Sequence, residues 1–99
     1  MTSRHYSNDR RNRQNIINMI GEGTVIKEVV LDQGHRNGAE VHKVSSTGII
    51  SIYNLKSGKL ITKLIARPNQ IKRYYQNNDA PVEVLRIARE HQRLNYNMA

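Results

Sequence analysis

Glu40–Tyr75 reads EVHKVSSTGIISIYNLKSGKLITKLIARPNQIKRYY and gathers side chains that can move protons and hold phosphate. Metal-independent RNA cleavage needs a base for the 2′-hydroxyl, an acid for the leaving 5′-oxygen, and a cation for the charge that builds up on phosphorus. Histidine serves either proton role near neutral pH. Arg or Lys supplies the electrostatic part. His42 with Glu40 beside it, Thr62, and Arg67 or Lys63 meet that requirement on paper. Tyr53 and Thr62 bring hydroxyls that can donate to phosphate oxygens or position the imidazole. Lys43, Tyr53, Lys63, Lys72, Arg73 and Tyr74 are candidates for nucleic-acid binding. There, cations hold phosphates and rings stack on bases.

Each of these residues also has an ordinary explanation. A lone strand histidine is more often a polar surface residue, and Glu40 and Lys43 are common solvated charges. Tyr53 suits any sheet. Ile71 with Tyr74 or Tyr75 can dock a short helix on the core while Lys72 and Arg73 face water. His91 falls on the apolar stripe of a C-terminal helix, where a packed histidine is expected. His35 belongs to a loop and His5 to a terminal arm. The four histidines lack metal-site spacing, so neither a metal nor another cofactor is expected.

The positioning elements follow from turn residues and hydrophobic period. Residues 1–8 read as a flexible basic arm, and 9–99 as one domain. Ser7 or Asn8 can cap a first helix carrying Ile16, Ile17, Met19 and Ile20, and Gly21 suits its left-handed close. TVIKEVVLD, AEVHKVS, IISIYN and LITKLIA read as four strands separated by Gly-bearing turns. Short turns make neighbouring strands antiparallel. Pro68 opens a short helix, and Asp79-Ala80-Pro81 opens the last, with Val84, Ile87, Ala88, His91 and Leu94 on one stripe. The fold class expected is α+β: helix, four-stranded antiparallel sheet, short helix, C-terminal helix.

Side chains alternate along strands, so turn length decides which residues share a face. Even-numbered turns at Thr47-Gly48 and Ser57-Gly58 pair His42 with Tyr53 and Tyr53 with Thr62. They predict a row His42–Tyr53–Thr62 on an open face, with Glu40 one step along. Val41, Ile50, Ile52, Ile61 and Ile65 then form the core face. That register also places Lys43 and Lys63 on the apolar side, which requires an edge position or a bulge. A three-residue turn at Ser46–Gly48 flips the second strand relative to the third.

Composition narrows the class. The chain has 99 residues, 16 Lys and Arg against 8 Asp and Glu, and a formal net charge of +8. That balance favours nucleic acid, RNA before DNA, or an acidic protein partner such as an antitoxin. With no cysteine, thiolate catalysis and disulfides are excluded, which fits a cytoplasmic setting. No apolar run is long enough for a membrane span.

The order helix, four antiparallel strands, helix resembles the small microbial ribonuclease toxins of the barnase, colicin D and RelE-like group. The likeness runs from about Asp9 to Tyr75 and rests on element order and residue type. It implies an active site on the open sheet face, and Glu40, His42, Tyr53, Thr62 and Arg67 are the positions it carries over. The compact, Gly-punctuated build also resembles small proteins of phages and mobile elements of low-GC bacteria. Residues and resemblance together leave cleavage and simple binding both open.

Overall fold

The computed structural model describes residues 13–32 and 38–98. The proposed arm (1–8), the helix cap at Ser7 or Asn8, His5 and His35 lie outside the described residues. Helix α1 covers residues 13–20 and closes at Gly21 (φ +84°), whose N–H bonds to the Ile17 carbonyl at 2.9 Å. Four strands follow: β1 (Val25–Leu31), β2 (Glu40–Ser45), β3 (Ile49–Asn54) and β4 (Leu60–Ile65). They form one antiparallel sheet in the order β1-β2-β3-β4. Helices α2 (Pro68–Lys72) and α3 (Val82–Met98) complete the chain. The protein is α+β, as its periodicities predict.

Turn chemistry sets the register, and here the even-turn expectation is corrected. Val44 pairs with Ile50, so the β2–β3 turn holds three residues, Ser46, Thr47 and Gly48. The Ser45 hydroxyl accepts from the N–H groups of Thr47 (3.2 Å) and Ile49 (3.0 Å), and Gly48 takes φ +84°. That wider loop shifts β2 by one residue against β3. His42 therefore faces Ile52, and Tyr53 faces Val41. Across β3–β4, Ile52 faces Thr62 before a bulge brings Tyr53 opposite Leu60.

One sheet face thus carries Glu40, His42, Val44, Ile50, Ile52, Thr62 and Leu64. The other carries Val41, Lys43, Ser51, Tyr53, Ile61 and Lys63. Val44, Ile50, Ala66, Ile71, Ala80, Val84 and Ala88 form the main buried cluster, so α2 and α3 cover the His42 face. Ile16, Ile17 and Ile49 are buried apart from that cluster. The chain leaving α1 is tied to the opposite face, because Glu22 pairs with Lys63. Farther along that face, Val30 and Ile61 stay 55% and 42% exposed.

The short α2 is built for its place. Pro68 occupies the first turn, where a missing N–H costs nothing, and Gln70 Oε1 accepts from the Arg67 N–H at 2.8 Å. Ile71, fully buried, is the pin that docks it. Between α2 and α3 the chain reverses through Asn77 and Asn78, both left-handed (φ +54° and +60°). Asn tolerates this region better than other side-chain-bearing residues.

Candidate functional site

The predicted row His42–Tyr53–Thr62 is not formed. His42 and Thr62 share a face, but Ile52 stands between them, and Tyr53 is on the reverse side. The face that holds His42 is also not open, and the residue is 7% exposed beneath the α2 segment. Burial of the imidazole follows from the three-residue turn, which puts His42 on the same face as Ile50 and Ile52. Lys43 moves off the apolar face with that turn, and Lys63 moves off it because the β3–β4 register sets it opposite Ser51 rather than Ile52.

In place of the row, Glu40, His42 and Tyr74 are joined by hydrogen bonds. His42 Nε2 lies 2.9 Å from Glu40 Oε1, and His42 Nδ1 lies 2.6 Å from the Tyr74 hydroxyl. Two strand residues on the same face, Glu40 and His42, meet a ring that follows α2. A carboxylate only accepts, so Nε2 carries the proton in this bond. In the neutral ring Nδ1 is then the acceptor, and the Tyr74 O–H donates to it. The two rings sit 5.7 Å apart and tilted. Burial raises the Tyr74 pKa above the ordinary phenol value; neighbouring Arg73 opposes the rise and Glu40 adds to it. The phenol therefore stays protonated at neutral pH and remains a proton donor.

The cations divide into two kinds. Lys43 is 3.6 Å from Glu28 and lies over the Tyr53 ring at 4.9 Å, and Lys63 pairs with Glu22. Both candidates on the reverse face are thus offset by carboxylates. Arg67, Lys72 and Arg73 are exposed and make no ion pair among the described residues. They are joined by Lys27 of β1, whose ammonium lies 5.2 Å from the Tyr75 ring centroid. Burial also raises the Tyr75 pKa. The segment Lys72–Tyr75 therefore crosses the sheet, with Tyr74 against β2 and Tyr75 against β1.

Arg67 and His42 are not neighbours along the sheet. Arg67 follows the β4 end that pairs with Ile49, whereas Glu40 pairs with Asn54 at the opposite end. Arg73 is a cation that acts on Tyr74. Sequence reasoning placed Tyr74 and Arg73 among binding residues but missed their link to His42, and it missed Lys27. The missing signal was the distance α2 carries the chain back over the sheet. His91 is buried at 8% exposure, as its place on the α3 stripe predicts. Among the described residues no group of three or more His, Asp or Glu is placed to hold a metal ion.

No known protein family, curated protein or solved structure matches this chain.

Proposed function

We propose that this protein binds nucleic acid, RNA before DNA, through the surface around α2. One observation carries the reading: Arg67, Lys72 and Arg73 lie exposed within seven residues and make no ion pair among the described residues, on a chain of net charge +8. Unpaired cations release counterions from phosphate on binding, whereas cations already held by carboxylates gain less. Tyr74 and Tyr75 lie beside them and supply ring surface for bases. Labelled single-stranded RNA and DNA, titrated with the protein at low and rising salt, test the reading. Salt-sensitive binding that collapses in an R67Q/K72Q/R73Q variant supports it. No binding at low salt sinks it and leaves an acidic protein partner as the alternative.

A second reading, RNA cleavage, is favoured by the Glu40–His42–Tyr74 network. His42 is too buried to touch substrate, so Tyr74 would be the group in contact. Its phenolic oxygen takes the 2′-hydroxyl proton as its own proton passes to His42 Nδ1. The 2′-oxygen bonds to phosphorus, and the P–O5′ bond breaks. The proton then returns through Tyr74 to the 5′-oxygen, leaving a 2′,3′-cyclic phosphate and a 5′-hydroxyl. Glu40 steadies the imidazolium, and Arg73 steadies the charge on phosphorus. Cleavage lost in Tyr74→Phe and Glu40→Gln with binding retained supports this. Binding without cleavage by the wild-type protein removes it and leaves the binding module.

A further inference from the structure

The Ser45–Gly48 turn is a junction. The Thr47 hydroxyl donates to the Gly21 carbonyl at 2.9 Å, which anchors the end of α1. Ser46 exchanges bonds with Thr24 at the start of β1, its N–H donating to the Thr24 carbonyl (2.8 Å) and its hydroxyl accepting from the Thr24 N–H (3.0 Å). The Ala66 N–H, just past β4, donates to the Gly48 carbonyl at 2.9 Å. The fourth element to arrive is α3. Ala88 packs so close that a β-carbon added at Gly48 would sit 3.8 Å from the Ala88 Cβ.

One turn further along α3, His91 comes to the same place. It is 8% exposed, and neither ring nitrogen has a hydrogen-bond partner. Buried polar groups are nearly always satisfied, so this pair of nitrogens is an exception that needs a reason. The turn brings no ionisable side chain to the ring. Two influences favour the charged form: the Thr47 backbone, which lies close without making a well-formed bond, and Glu90 on the same helix. Burial outweighs both and lowers the His91 pKa below the ordinary 6.5.

We propose that His91 is an acid-sensitive latch that holds α3 against the Ser45–Gly48 turn when neutral and releases it when protonated. The folded pKa is depressed and the released one ordinary. The contact is therefore fully stable above the ordinary histidine pKa and loses stability as pH falls from there toward the depressed value. One proton drives the opening, so the equilibrium moves by up to about tenfold per pH unit within that window. α3 covers Val44 and Ile50 together with α2, so its release uncovers the main buried cluster.

Amide hydrogen exchange, corrected for the intrinsic rate, tests the latch at pH 7.5, 6.5 and 5.5. The wild-type protein is expected to lose protection over Val84–His91 as pH falls, before the β2 and β3 amides do. His91→Leu and His91→Gln, which remove the titration in an apolar and a polar way, are expected to flatten that dependence. The urea midpoint of each variant, taken at the same pH values, is expected to flatten in step. The proposal is overturned if either folded variant keeps the wild-type pH dependence. It is also overturned if acid releases α3 and the central strands together, because the opening is then global.

Discussion

At the residue scale, the decisive fact is that both ring nitrogens of His42 are used inside the protein. The ring is held by Glu40 on one side and Tyr74 on the other, so its first role is to fasten the α2 segment to β2. Tyr74→Phe removes the hydroxyl that bonds the half-buried segment to His42 Nδ1. A loss of about 1–3 kcal/mol in unfolding free energy is expected, measured by urea denaturation at pH 7.5. Glu40→Gln keeps an acceptor for Nε2 and should cost less. Equal losses in the two variants would mean that the Tyr74 bond contributes no more than its neighbour. His42 and Glu40 were legible as a pair because residues two apart on a strand share a face. Tyr74 was not, because its contact spans 32 residues and depends on where α2 docks.

At the element scale, stability concentrates in a few backbone positions. Gly23 takes φ +69°, and a β-carbon there would lie 2.5 Å from the Ser46 hydroxyl and 3.2 Å from the Thr47 nitrogen. Gly23→Ala carries about 1–2 kcal/mol from the left-handed backbone alone. Displacing the Ser46 hydroxyl from the Thr24 N–H adds to that cost. A drop in melting temperature is expected, and an unchanged one would show that the β1 entry gives way freely. In the α2–α3 connection, Asn78 holds φ +60°. Asn78→Gly is expected to be neutral or stabilising, and Asn78→Val destabilising by roughly 1 kcal/mol or more. A Val variant as stable as wild type would mean that the connection adopts another conformation. The four strands and three helices were readable from turn residues and apolar period. The β2–β3 register was not, because Ser46-Thr47-Gly48 closes a two- or three-residue turn equally well by composition. Ser45, whose hydroxyl caps the wider loop, decided it.

At the scale of the whole molecule, charge is distributed unevenly in how it is offset. Arg86 is shared between Glu83 and Glu90 on α3, and Lys43 and Lys63 have carboxylates of their own. Among the described residues, Arg67, Lys72 and Arg73 make no such pair. Removing Arg67, Lys72 and Arg73 together is expected to reduce the slope of log binding constant against log salt by about 2 for single-stranded RNA. The K43Q/K63Q pair should change the slope by distinctly less. The reverse ordering would move the interface to the opposite sheet face. The sequence alone determined the α+β class, the element order, the excess of positive charge and the candidacy of His42 with Glu40. All of these follow from composition, local propensity and the two-residue period of a strand. Tertiary structure decided which face His42 occupies, that Tyr53 is excluded from its company, and that Tyr74 takes its place beside the ring, with Arg73 acting on Tyr74. One residue of turn length inverts a whole strand, and no local property of the chain reveals how far a docked helix carries the next ring.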